Sequence, residues 1–171
     1  MTALLVAVAA TRQSSGSAVR SVLLVMLAVV VPVAMLMVRQ VRRGRWTNAD
    51  ASNASERPVL FVVSMAGLAA AVVWLLLYDP ASFLIRGLVV VAAFIVIAAV
   101  LTRWIKLSLH VAFATLTATA LSQIGSPVGV ALIPLVPVLA WARLVLTRHS
   151  LLEVAVGCVL GAATGLALVW R

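Results

Sequence analysis

The sequence has few acidic residues and one cysteine. Four Asp plus Glu stand against thirteen Lys plus Arg. Cys158 is the single cysteine and lies in an apolar segment, so no disulfide can form within one chain. Four scattered acids supply no set of hard oxygen ligands for an ion such as Mg²⁺. We therefore expect no metal and no other cofactor.

Hydrophobic residues dominate what is present. They make up 65% of the 171 residues, and the mean hydropathy is +1.23. These values lie far outside the range of soluble domains and predict a polytopic membrane protein. In a soluble chain the net charge of +9 would suggest nucleic acid as a partner. Here the arginines lie between apolar runs, so they indicate topology signals and contacts with membrane lipids rather than nucleic acid.

Six apolar stretches are long enough, or nearly so, to cross a bilayer core of about 30 Å. They lie at 21–38, 59–78, 84–102, 107–122, 127–142 and 150–170. Backbone polar groups in lipid must be satisfied within each segment, so the spans should be helices. The predicted fold class is an all-α, polytopic membrane bundle of about six helices. Pro32, Pro134 and Pro137 are predicted to kink their spans.

The segments outside the spans define the domain organisation. Residues 1–20 form an N-terminal segment, in which 2–10 is apolar but too short to span and has no basic flank, so no cleaved signal is expected. Residues 21–171 form one membrane-embedded domain. Its long polar connection is the loop at 39–58, which has room for a lid or substrate loop.

Counting spans places three connections on one membrane face. These are the 39–58 loop and the turns at 103–107 and 143–149, which together carry nine of the thirteen cations. The positive-inside rule then predicts a multi-pass protein of the cell membrane with this face in the cytoplasm. Both histidines, His110 and His149, lie at the ends of spans on this face. Ionisable groups at such positions are expensive to desolvate and are candidates for function.

Arg143, His149 and Glu153 form the first candidate cluster. His149 and Glu153 are four residues apart on the last predicted helix, so their side chains are neighbours. The carboxylate can accept the Nδ1 hydrogen of the imidazole and leave Nε2 as a nucleophile. Arg143 can form a forked contact with phosphate oxygens. Taken singly, a snorkelling arginine and a glutamate favoured by the helix dipole also explain these residues.

Lys106, Ser108 and His110 form the second candidate cluster. Ser108 can cap the fourth helix, and its hydroxyl with the nearby N–H groups can hold an anion. His110 can act as general acid toward a leaving oxygen. An ordinary helix cap next to an interfacial histidine is the alternative interpretation.

In order along the chain, Arg57-Pro58, Ser108-x-His110 and Arg143-x5-His149-x3-Glu153 resemble the three signatures of the type 2 phosphatidic acid phosphatase superfamily. The resemblance covers about the last two-thirds of the chain. It implies a metal-independent membrane phosphatase in which His149 attacks phosphorus and forms a phosphohistidine. Glu153 would orient His149, and His110 would protonate the leaving group. Phosphate oxygens would be held by Arg57, Ser108 and Arg143.

The sequence departs from the family pattern at several positions. Asp50 stands where the family has a lysine, and Leu107, Leu109 and Ala142 replace a proline, a glycine and a serine of the signatures. An anion at position 50 would repel phosphate. Either Asp50 points away, or it binds a hydroxyl of the substrate, or Lys106 supplies the missing cation.

The resemblance implies an integral-membrane lipid phosphatase, and the position of the candidate residues at headgroup depth favours a lipid substrate. By the same resemblance, the substrate would be a phosphomonoester or diphosphate of a polyprenyl lipid or glycerolipid, including a polyprenyl-linked sugar phosphate. A small transporter or channel would instead place its ionisable groups at mid-membrane depth. A catalytically inactive scaffold would not depend on His149.

Three glycines continue the line of His149 and Glu153 along the last predicted helix. Gly157, Gly161 and Gly165 follow one another at steps of four residues. Small residues at this spacing let membrane helices approach closely. We expect this face to pack against another helix, and a homo-oligomer could form through it.

Overall fold

A computed structural model of the chain describes residues 15–46, 56–78 and 83–170. These residues form α-helices joined by turns, and no strand occurs among them. The helices are α1 (Ser15–Arg42), α2 (Arg57–Tyr78), α3 (Phe83–Leu101), α4 (Leu109–Gln123), α5 (Pro127–Leu132), α6 (Leu135–Val145) and α7 (Leu151–Val169). The predicted all-helical fold is therefore confirmed for the described part of the chain. The N-terminal apolar stretch 2–10 and Asp50 lie outside it.

Within residues 15–46, 56–78 and 83–170, five helical segments, rather than six, are long and apolar enough to cross a bilayer. They are Leu23–Arg42, Arg57–Tyr78, Leu84–Leu101, Pro127–Val145 and Leu151–Val169. The predicted fourth span, 107–122, corresponds to α4, which has only 15 residues. At 1.5 Å per residue α4 is about 22 Å long, shorter than a bilayer core of about 30 Å. The expected count of six is thus not confirmed.

The predicted fifth span is two helices with a short break between them. α5 ends at Leu132 and α6 begins at Leu135, with Pro134 at the N-cap of α6. Pro134 has no N–H to continue the helical bonding, and Pro137 removes a second donor three residues later. The backbone compensates with tighter bonds from Ile133 N to Val130 O (3.3 Å) and from Val136 N to Ile133 O (3.2 Å). The prolines therefore interrupt the helix, but Pro127–Val145 as a whole is still long and apolar enough to cross a bilayer.

The chain divides into two compact units, with a boundary between residues 99 and 100. In the unit that contains α1–α3, α2 packs on α1 at Gly67. A Cβ atom added to Gly67 would lie 2.5 Å from Ala28 O. Pro32, which lies inside α1, has no N–H to bond this carbonyl four residues earlier. A glycine on α2 and a proline on α1 thus mark the place where the two backbones meet.

The other unit contains α4–α7 and is organised by the three glycines of α7. Added Cβ atoms at Gly157, Gly161 and Gly165 would come within 2.9, 2.3 and 2.8 Å of backbone carbonyl oxygens of α4. Those oxygens belong successively to Ser108, Ala112 and Leu116, so α4 and α7 run side by side in the same direction. Within the chain, α4 occupies the glycine face. A contact between two copies through these glycines would have to displace α4.

Candidate active site

The start of α7 holds a carboxylate in a fixed position. Ser150 is the N-cap, and its hydroxyl accepts a hydrogen bond from Glu153 N at 3.4 Å. Glu153 Oε2 in turn accepts from Ser150 N at 3.1 Å. This reciprocal pair is a capping box, which satisfies two backbone N–H groups at the start of the helix. The local sequence Ser-Leu-Leu-Glu therefore orients Glu153 back toward the preceding turn.

The same carboxylate oxygen contacts His149. Glu153 Oε2 lies 2.9 Å from His149 Nδ1, and Lys106 O lies 3.0 Å from the same nitrogen. Both oxygens can only accept, so Nδ1 carries the hydrogen, and the lone pair of the neutral ring is on Nε2. The His149 side chain is 4% exposed and that of Glu153 is 20% exposed. Two acceptors and near-complete burial thus fix both the tautomer and the orientation of the ring.

Two turns meet around Lys106. Its carbonyl oxygen contacts His149, and its Nζ donates to Arg148 O at 3.3 Å. Ser108 N donates to Glu153 O at 3.2 Å, which joins the start of α4 to the first turn of α7. The turns at 103–107 and 143–149 therefore lie at one end of this unit, and their placement on one membrane face stays a prediction.

Arg143 and His110 form the second polar contact at this end. Arg143 lies in the last turn of α6, and its Nη2 donates to Nδ1 of His110 in the first turn of α4. A guanidinium has donors only, so Nδ1 accepts, and the proton of the neutral ring is on Nε2. His110 and His149 thus have opposite tautomers. When both rings are neutral, His110 carries its proton on Nε2 and His149 carries it on Nδ1.

Ser108 is the N-cap of α4, but its hydroxyl makes no capping bond. The side chain is completely buried, and its Oγ has no hydrogen-bond partner among the described residues. A buried hydroxyl without a partner costs free energy, on the order of 1–3 kcal/mol. Its position at the N-terminus of α4, where backbone N–H groups and the helix dipole favour negative charge, suits an anion.

The structure thus brings together six of the seven predicted site residues, all in the unit that contains α4–α7. They are Lys106, Ser108, His110, Arg143, His149 and Glu153. Arg57, the seventh, begins α2 in the other unit, where its side chain is 2% exposed. Its part in phosphate binding stays a prediction.

Three contributions to the cluster were missed in the sequence. The Lys106 carbonyl is a backbone group and leaves no signal. Ser150 could have been found, because Ser-x-x-Glu before an apolar run is the capping-box pattern. Thr147, with φ of 50°, is a non-glycine residue in the left-handed region. This conformation is strained for a β-branched residue. Thr147 lies in the turn that positions His149.

Positive charge exceeds negative charge in the cluster. Lys106, Arg143 and Arg148 lie in or next to the two turns, and Glu153 is the only acid among the described residues of this unit, 100–170. Within those residues no group of three His, Cys, Asp or Glu side chains lies together. The excess of cations at this end of the unit is suited to an anion.

Comparison with known proteins adds no relative. No protein-family model matches the chain, and no curated protein or solved structure matches it either.

Proposed function

We propose that this chain is an integral-membrane lipid phosphatase that works through a phosphohistidine intermediate. The observation that carries the proposal is the double contact of His149 Nδ1 with Glu153 Oε2 and Lys106 O. A surface histidine needs no such arrangement. A nucleophilic imidazole does, because its second nitrogen must be deprotonated and aimed.

The reaction follows from the two tautomers. His149 Nε2 attacks the phosphorus atom, the bond from phosphorus to the leaving oxygen breaks, and His110 Nε2 gives its proton to that oxygen. Water then attacks the phosphohistidine while His110 takes a proton from the water, which releases phosphate and restores both rings. Glu153 stabilises the positive charge that develops on His149. Arg143 and the Ser108 hydroxyl hold phosphate oxygens.

A lipid substrate is supported by the surface next to the cluster. An apolar groove of about 340 Å³ lies between α4 and the α5–α6 segment. On α4 its lining residues Ala114 and Thr117 follow His110 at steps of four and three, which places them on the same helix face. On α6, Leu139 precedes Arg143 by four residues. A phosphate at His110 and Arg143 could therefore extend a hydrocarbon tail into this groove, and such pockets are typically about 300–1,000 Å³.

The compartment and the substrate class belong to the same proposal. The cation excess of the 39–58, 103–107 and 143–149 connections favours a cytoplasmic face for the site. A cytoplasmic site suits a polyprenyl-linked sugar phosphate or a glycerolipid phosphate. Among lipid phosphatases, the resemblance favours one that requires no metal.

The test is phosphate release by purified full-length protein from a panel of lipid phosphates in a strong chelator. We expect hydrolysis, together with an acid-labile, alkali-stable phosphoryl adduct in a rapid quench. His149→Ala should abolish both. Gln123→Ala, at the exposed far end of α4, is the control and should change neither. Full activity of His149→Ala would disprove the mechanism, and loss of activity in chelator that Mg²⁺ restores would replace it with a metal-dependent one.

A further inference from the structure

A second groove lies in the other unit, far along the sequence from the histidines. It has a volume of about 770 Å³ and is lined chiefly by α1, with Val63 contributed by α2. Its apolar wall on α1 includes Pro32, Met35 and Leu36, and Met35 is 61% exposed. The volume falls within the usual range of about 300–1,000 Å³ for ligand pockets. An apolar cleft of this size on a membrane helix can hold a hydrocarbon chain.

One end of this groove is cationic. Arg39, Arg42 and Arg43 line it, and all three are exposed. Spacings of three and four residues put Pro32, Met35 or Leu36, Arg39 and the pair Arg42–Arg43 on one stripe of α1. The stripe is apolar for about 10 Å, from residue 32 to residue 39, and cationic beyond. An anionic phospholipid has the matching order, with a hydrocarbon tail for the apolar part of the stripe and a charged headgroup for the arginines.

The helix α1 ends directly after these cations. Gly44, with φ of +65°, ends the helix, and Gly44 N bonds to Val41 O at 2.9 Å while Arg45 N bonds to Gln40 O at 3.0 Å. No ion pair to Arg39, Arg42 or Arg43 occurs within residues 15–46, 56–78 and 83–170. Three cations at one end of an apolar cleft are therefore suited to an anion that also carries a hydrocarbon tail.

We propose that the groove on α1 binds an anionic phospholipid of the surrounding bilayer, with its phosphate at Arg39, Arg42 and Arg43 and one acyl chain against Pro32, Met35 and Val63. The lipid is bound as a ligand and is not hydrolysed. The proposal is independent of the phosphatase reaction, because none of the residues assigned to catalysis lines this groove. Arginines that served only as topology signals would need no apolar cleft below them.

The experiment titrates the purified full-length protein in detergent and counts bound lipid by native mass spectrometry. The probes are phosphatidylglycerol, phosphatidylcholine with the same chains, and inorganic phosphate. Phosphatidylglycerol is a phosphodiester and so tests binding apart from phosphomonoester hydrolysis. We expect it to bind at least about ten-fold more tightly than phosphatidylcholine, since each surface cation contributes to anionic-lipid affinity. Inorganic phosphate should not compete at equal concentration.

Two pairs of variants separate the charge from the cleft. Arg42→Gln with Arg43→Gln should lower phosphatidylglycerol affinity about ten-fold, whereas Arg45→Gln with Arg103→Gln removes the same charge from exposed positions outside the groove and should not.

Met35→Trp fills the cleft with every arginine intact and should also weaken binding. Val62→Trp adds the same ring at a 68% exposed position outside the groove and should not.

Two results would overturn the proposal. Equal affinity for the two lipids would mean that the arginines do not select a headgroup. Unchanged binding in Met35→Trp would mean that any preference is a general attraction of charge and not a site. Phosphatase activity is measured on the same samples, so failure of the lipid site and failure of the enzyme would be seen separately.

Discussion

Nδ1 of His149 and Nδ1 of His110 have opposite roles, since the first donates a hydrogen bond and the second accepts one. Glu153 and the Lys106 carbonyl oxygen accept from Nδ1 of His149, whereas Arg143 donates to Nδ1 of His110. Each ring is thereby locked by its own partner. Under the proposed mechanism, His149 would attack the phosphorus atom and His110 would give a proton to the leaving oxygen.

The acid role of His110 predicts a dependence on the leaving group. A general acid typically contributes about 10²–10⁴-fold when the leaving oxygen is a poor one. His110→Ala should therefore lower kcat/KM strongly for an alkyl phosphate and much less for an aryl phosphate whose phenolate leaves without a proton. The measurement is kcat/KM across a series of leaving groups. Equal losses throughout the series would assign His110 to binding.

Glu153 has two tasks that substitution can separate. Its Oε2 contacts both Ser150 N and His149 Nδ1. Glu153→Gln removes the charge that stabilises the phosphorylated imidazole, and we expect kcat/KM to fall about 100-fold, or about 2.7 kcal/mol.

Ser150→Ala is the matched control for this prediction. It weakens the start of α7 by about 1 kcal/mol but leaves the carboxylate beside His149. Thermal stability and kcat/KM are measured for both variants. Similar losses of activity would mean that Glu153 acts only through the helix cap.

The groove between α4 and α6 predicts selectivity for tail length. Ala114→Trp should fill the groove and raise KM roughly ten-fold for a long-tailed lipid phosphate, with little change for a short-tailed analogue of the same headgroup. Val138→Trp, on α6 at a 57% exposed position outside the groove, should have no such effect. A similar rise for both tails in Ala114→Trp would place the hydrocarbon elsewhere.

Local patterns made much of the fold predictable, and packing decided the rest. The ends of α2, α3 and α7 fall within two residues of the predicted spans, since charged or turn residues bound their apolar runs. α1 is longer than 21–38 at both ends, because hydropathy does not detect the polar turns that continue a helix. The glycine spacing predicted a close helix contact without naming α4 as the partner.

The candidate site was likewise predictable from local sequence only in part. The pairing of His149 with Glu153 joins residues four apart and could be predicted from spacing. His149 itself lies in the turn before the N-cap Ser150 and not on α7, so the expectation that both residues share one helix was wrong. The contact between Arg143 and His110 spans 33 residues and depends on how α6 packs beside α4, which no local pattern encodes.

The number of membrane crossings predicts on which membrane faces Arg45 and the C-terminus lie. α4 is short, but it runs beside α7 in the same direction, so we expect it to cross with α7. Arg45 and the C-terminus should then report opposite faces. The measurement is labelling of Arg45→Cys, in a Cys158→Ala background, and of a C-terminal cysteine with an impermeant reagent. Labelling of both from the same face would mean that one segment does not cross.

Lys106 tests how the site replaces the lysine that Asp50 displaces. A phosphate dianion in a desolvated site needs cations, and loss of one charge-assisted contact costs about 1.5–3 kcal/mol. If the Lys106 ammonium contacts phosphate, Lys106→Met should lower kcat/KM roughly ten-fold or more, or about 1.4 kcal/mol. Lys106→Arg should be partly tolerated, and Asp50→Lys should be neutral or harmful because the charge is already supplied.

The same lysine has a structural bond that the measurement must separate from this role. Its Nζ donates to Arg148 O, while its carbonyl, which Lys106→Met retains, holds His149. Inhibition by inorganic phosphate distinguishes the two roles. If Lys106 contacts phosphate, Lys106→Met should raise the inhibition constant of inorganic phosphate. If Lys106 only holds the turn, Lys106→Met should lower kcat and leave that constant unchanged. If Lys106→Met changes neither and Asp50→Lys raises activity on simple lipid phosphates, the compensation hypothesis is wrong. Asp50 would then be a selectivity element for a substrate that carries hydroxyl groups.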